Sequence, residues 1–166
     1  MLWKSKALGA VVLIVLTATV AVGASSSAGA STRHTGNKMA GAWLVHVVPP
    51  APRAPVTSLQ VYTRDGSVIE SGNDGSASRS PAYGTWERIE GRLYANTTVF
   101  FRFDPATGAF IGSMKISRTI RLAPDGQSFE LVARANVLDA NGNVLGSFPV
   151  TGTGQRMEVD RIADVP

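Results

Sequence analysis

The chain has 166 residues, of which 44% are hydrophobic and 17% charged, and its 16 basic against 12 acidic residues give a formal net charge of +4. This length supports one domain with a core of its own, and the absence of cysteine excludes disulfides, thiolate metal sites, cysteine nucleophiles and lipid attachment through a cysteine. With only His34 and His46 present, a multi-histidine centre or a serine-histidine triad has few candidates, so neither metal nor cofactor is expected. The arginines are scattered rather than clustered into a basic stripe, which sets nucleic acid aside.

Residues 1–30 carry Lys4 and Lys6, then an apolar run over 7–24, then small residues ending Ala28-Gly29-Ala30. That is the pattern of a signal peptide, with cleavage expected after Ala30 or, alternatively, after Ala24. A secreted or extracytoplasmic protein follows, and its mature form is charged about +2. The alternative is an uncleaved membrane anchor, because the run of about 18 residues lies at the lower edge of what spans a bilayer. Residues 31–40 are small and polar and read as a flexible tether. A barrel or sandwich domain is expected over 41–157, and residues 158–166 form a C-terminal tail.

Trp43 opens a first strand over 43–48, ended by Pro49-Pro50-Ala51-Pro52, since proline cannot donate to a strand ladder. Strands over 56–63 and 67–71 flank Asp65-Gly66, a hairpin signal. Residues 72–82 form the longest loop, rich in Gly, Ser, Asn and Asp. From Gly84 to Met157 long alternating segments are separated by Glu90-Gly91, Pro105-Ala106-Thr107-Gly108, Pro124-Asp125-Gly126 and Asn141-Gly142, which is a β-meander.

Side chains alternate across a strand, so each turn fixes the residues that face one another. Counting through the turns puts Leu93, Ala95, Thr97, Val99, Phe101 and Phe103 inward, then Phe110, Gly112, Met114, Ile116, Arg118, Ile120 and Leu122. Phe129, Leu131, Ala133, Ala135 and Val137 follow, then Val144, Gly146, Phe148, Val150, Gly152, Gly154 and Arg156. Upstream, Gly84, Trp86 and Arg88 face the same way. Eight strands of this length predict an all-β, antiparallel up-and-down barrel, because closure removes exposed edges. A two-sheet β-sandwich is the alternative.

The chain resembles the calycin group of lipocalin-like and avidin-like barrels through Gly41-Ala42-Trp43, the G-x-W that opens the first strand, and through Arg156 late in the last strand. The resemblance implies that Gly41, Trp43 and Arg156 close one barrel end, with Arg156 stacked on the Trp43 ring. No helix pattern follows the last strand, and no lipocalin-type acidic motif lies between the later ones.

Arg118 is the one inward residue that breaks the apolar face far from a strand end, and a buried charge needs a partner. The counted register sets Trp86, Ala95, Arg118, Leu131 and Gly152 in one row. Arg118 and Trp86, with Leu131, Phe101, Phe103, Phe110, Met114 and Phe148, are therefore the candidate ligand-binding residues, for a small apolar or amphipathic molecule. An internal ion pair at Arg118 and a barrel filled by its own aromatics are the competing structural readings. His46 falls on the outward face, Arg88 and Asp139 lie near the mouths, and the sequon Asn96-Thr97-Thr98 lies in a strand. The functional expectation is an exported barrel that binds a small ligand. A barrel-type cyclase or isomerase is one alternative, with no carboxylate expected near Arg118, and a filled barrel acting as an interaction module is the other.

Overall fold

The computed structural model describes residues 38–74 and 78–160; the expected export signal and residues 31–37 of the tether lie outside the described residues. Eight antiparallel strands follow in order: β1 (Gly41–Val48), β2 (Val56–Tyr62), β3 (Ser67–Gly72), β4 (Ala82–Glu90), β5 (Leu93–Phe103), β6 (Phe110–Leu122), β7 (Ser128–Leu138) and β8 (Val144–Arg156). Each strand pairs with its sequence neighbours, and β1 pairs with β8 to close the barrel. The up-and-down barrel is the architecture, and the sandwich is not formed.

The turns are built on carboxylates. Oδ1 of Asp104 accepts from the amides of Ala106 at 2.9 Å and Thr107 at 2.8 Å, and Oδ1 of Asp139 accepts from those of Asn141 at 2.9 Å and Asn143 at 2.8 Å. Asp65 and Asp125 bond the amides two residues on in the same way. An Asx side chain satisfies turn amides that the ladder leaves unpaired, which makes these short connections self-contained.

Three irregularities revise the register counted from the turns. Phe103 pairs with Phe110, but Arg102 then pairs with Gly112, so Ile111 is an extra residue. Gly112 adopts φ +130°, and a Cβ there would lie 2.1 Å from the Leu138 carbonyl oxygen, so glycine is what admits this bulge. A second bulge lies between Arg88 and Glu90. Flanked by the two, β5 is turned by one residue: Tyr94, Asn96, Thr98 and Phe100 are buried, where Leu93, Ala95, Thr97, Val99, Phe101 and Phe103 had been expected inside. Phe101 is 54% exposed and Phe110 47%, and with Phe103 they form an aromatic cluster, Phe110 lying 5.7 Å from Phe101 and 6.2 Å from Phe103. The third bulge, between Val137 and Leu138, frees Val144 and Gly146 to solvent, and the Asn141-Gly142 connection closes from the Asp139 amide to the Asn143 carbonyl rather than as a two-residue hairpin. The β6–β7 pairing is shifted by two residues, Ile120 facing Leu131, which leaves the inward face unchanged because side chains repeat every two.

The chain connections make the two ends of the barrel unlike. At the closed end Arg156 lies 4.3 Å above the Trp43 ring, and its Nε and Nη1 donate to the carbonyls of Gly126 and Ala40, each at 2.9 Å. Trp43 Nε1 donates to the Met39 carbonyl at 3.0 Å. Met39, counted with the tether in the sequence reading, is fully buried here, so the barrel begins before its first strand. Trp43, Phe129, Tyr62, Trp86 and Tyr94 fill this half: the Trp43 and Phe129 ring centroids are 4.8 Å apart, and Trp86 lies 5.8 Å from Tyr62 and 5.9 Å from Tyr94.

Candidate ligand-binding cup at one end of the barrel

Above the filled half lies a polar layer that reaches across the barrel. Ser58, Gln60 and Tyr62 project inward from β2 because Leu59 and Val61 take its outer face, and β3 likewise sends Val68 and Glu70 inward and leaves Ile69 outside. Tyr62 Oη donates to Gln60 Oε1 at 2.7 Å, and Gln60 Nε2 donates to Ser58 Oγ at 3.2 Å. Asn96 Nδ2 donates to Tyr62 Oη at 2.6 Å. Burial raises the Tyr62 phenol well above its ordinary value, so the ring stays protonated and keeps its donor role.

Arg118 is the hub of this layer and is 4% exposed. Its Nη1 donates to Thr98 Oγ1 at 2.8 Å and Asn96 Oδ1 at 3.2 Å, and its Nη2 donates to Glu70 Oε2 at 2.6 Å. The buried cation has a counter-ion and further acceptors, which is what burial demands. Glu70 corrects the expectation that no carboxylate lies near Arg118. Sequence reasoning passed over it because β2 and β3 are too short for alternation alone to choose a face. The available signal was Arg118 itself, whose inward charge calls for an acid.

The row containing Arg118 runs Trp86, Asn96, Arg118, Ala133 and Val150. Trp86 and Arg118 thus share it, while Ala95, Leu131 and Gly152 do not. Trp86 and Leu131 belong to the filled half, and Trp86 Nε1 is engaged with the Thr63 carbonyl at 3.0 Å.

On the other side of the polar layer the barrel opens into a cavity of about 500 Å³, within the usual range for small-molecule sites. Glu70 and Arg118 form its floor; Phe100, Met114, Ile116, Ala135, Phe148 and Val150 form its walls. Of the candidate residues, the structure brings Arg118, Met114 and Phe148 together in this cup. It sends Trp86 and Leu131 to the packed half, and Phe101, Phe103 and Phe110 away from the interior, for the bulge-driven reason given above.

The mouth is framed by residues 49–55 and by residues 73–74 and 78–81, whose Arg53, Ala54, Pro55, Asn73, Asp74 and Arg79 border the opening. The Arg53 guanidinium carbon lies 4.0 Å from the Phe148 centroid, and that of Arg79 lies 3.9 Å from Phe100. Each arginine is thus held flat on a wall aromatic, a favourable cation–π placement. A second depression of about 570 Å³, bordered by His46, Arg121, Glu130 and Val132, lies on the solvent side of the strands. No group of three or more His, Asp or Glu that could hold a metal ion occurs among the described residues.

No protein family matches the chain by sequence, and no curated protein matches it. Among solved structures it is similar to EF1p2_mFAP2b bound to DFHBI, with a TM-score of 0.55 and 16% identity over 73% of this chain and 95% of that one. At this level of identity the likeness is one of fold, and the fold is a closed, eight-stranded, antiparallel β-barrel.

Proposed function

We propose that this protein is an exported, calycin-like barrel that holds a small hydrophobic or amphipathic molecule in the cup above the Arg118–Glu70 layer. The observation that carries this reading is the open cup of about 500 Å³ with apolar walls and a polar floor. Such a site removes apolar surface from water and orients a ligand by a few polar groups. The G-x-W and Arg156 pair at the closed end supports calycin kinship, and the signal-like residues 1–30 support export. EF1p2_mFAP2b, similar in fold, was solved with DFHBI bound.

Native mass spectrometry of protein purified from its own host tests this reading. The expected result is a non-covalent adduct released unchanged on denaturation, absent from Ala135→Phe, which fills the cup from β7. An adduct equally abundant in that variant would overturn it. N-terminal sequencing of the same material tests export: a start at Ser31 or Ser25 is expected, and an intact Met1 would point to an anchor instead.

A second reading, a cyclase or isomerase, is favoured by one observation: Glu70 places a carboxylate on the floor of the cup. Recovery of a chemically altered ligand from wild type, and of the unaltered one from Glu70→Gln, would establish it in place of simple binding.

A further inference from the structure

The floor of the cup is electrostatically closed, since Arg118 and Glu70 satisfy each other. Its mouth is not. Two guanidiniums border it, and one carboxylate, Asp74, pairs with Arg79 Nη1 at 2.7 Å. Arg79 Nε donates to the Ser80 carbonyl at 3.3 Å, which leaves Nη2, buried and without a hydrogen-bond partner among the described residues. The Arg79 side chain is 6% exposed, so water does not satisfy that donor, and an unpaired buried N–H is costly to maintain. Arg53 is exposed and forms no ion pair among the described residues; its guanidinium rests on Phe148. At the other connections of this end, the Asp104 and Asp139 carboxylates are committed to their own turn amides. The 49–55 connection carries prolines at 49, 50, 52 and 55, whose fixed φ holds Arg53 over the opening at low entropic cost.

We infer that the cup selects an amphipathic anion, a carboxylate on an apolar body, with its head between Arg53 and Arg79 at the mouth and its body against Phe100, Phe148 and Met114. This assignment rests on the binding function proposed above and gives it a direction: the ligand enters tail first. A carboxylate arriving at the mouth supplies an acceptor to Arg79 Nη2 once the guanidinium turns toward the opening, and a counter-charge to Arg53, neither of which the described residues provide, and the guanidinium fork suits it geometrically. Arg118, held by Glu70, is the polar stop against which the tail ends.

The test is isothermal titration calorimetry of the full mature protein with a matched pair of probes, decanoate and decanol. Wild type is expected to bind decanoate about tenfold tighter than decanol, the scale of one charge-assisted hydrogen bond, with the preference shrinking as salt is added. Arg53→Gln, at an exposed position, should weaken decanoate by about tenfold and decanol far less, so that the ratio between the two probes falls. Arg79→Gln should act in the same direction. Equal affinity for the two probes, or a preference that survives Arg53→Gln and Arg79→Gln, overturns the anion assignment while leaving the cup as a binding site. Binding of neither probe overturns the cup reading and the assignment together.

Discussion

Arg118 Nη2 and Glu70 Oε2 meet at 2.6 Å inside the barrel, although 48 residues separate them in the chain and β4 and β5 lie between their strands. The pair ties β6 to β3 across the lumen. Removing one partner leaves a buried charge uncompensated, so Glu70→Leu and Arg118→Met should each lower unfolding free energy by about 3–5 kcal/mol in urea titrations. The double variant Glu70→Leu/Arg118→Met should lose less than the sum, because no orphan charge remains. Additive losses would mean that the two groups do not depend on each other.

Tyr62 gives the same layer a pH limit at the alkaline end. Its folded pKa is raised by burial above the ordinary 10.0, so the unfolded chain releases this proton first. The stabilisation is therefore fully present below about pH 10 and is lost as pH rises beyond it. Urea midpoints measured between about pH 8 and pH 11 should fall in wild type and fall less in Tyr62→Phe. At neutral pH that variant should be less stable by about 1–3 kcal/mol, since Asn96 loses its acceptor and Gln60 its donor.

The turn carboxylates set the acidic limit. Asp104 lies below the ordinary carboxylate range, chiefly through the Thr107 amide. Asp139 does so chiefly through the Asn143 side chain, and Asp65 chiefly through Thr63. For groups with lowered folded pKa values, stability is complete above the unfolded value and disappears as pH falls through the lowered one. The urea midpoint should therefore decline from about pH 5 to about pH 2, and the decline should be shallower in the triple variant Asp65→Asn/Asp104→Asn/Asp139→Asn.

Gly112 is where backbone shape decides which residues reach the lumen. Gly112→Ala combines a φ of +130° with a Cβ placed 2.1 Å from the Leu138 carbonyl oxygen, and should cost about 1–3 kcal/mol in urea unfolding. Loss of the bulge would also expose the polar layer to the wrong face of β5. Near-ultraviolet circular dichroism should report this as a weakened Trp86–Tyr94 signal.

The strand count, the closure and the inward faces of β7 and most of β6 and β8 were legible because their alternation is long and their parity survives a two-residue shift. The faces of β5 were not. Ile111 and Ile89 are ordinary strand residues in sequence, and each became the extra residue of a bulge only once its neighbours were paired. Alternation rewards Phe101 and Phe103 as interior residues, yet Arg118 points the other way: it faces Asn96 rather than Ala95, with Thr98 next along the inward face, and these two supply acceptors to the guanidinium beside Glu70. The cup was legible only in part, through Arg118, Met114 and Phe148. Its mouth arginines sit in loops, where no periodicity assigns a direction.

The polar layer has one more effect, on traffic. Because Arg118, Glu70, Asn96 and Tyr62 close the lumen above a packed half, the cup ends blind and, among the described residues, opens at one end of the barrel. Whatever occupies it must leave by reversing the path it entered. For the ligand proposed above, residence time would then be governed at the mouth, by the proline-stiffened 49–55 segment and the arginines resting on Phe100 and Phe148, more than by the depth of the well.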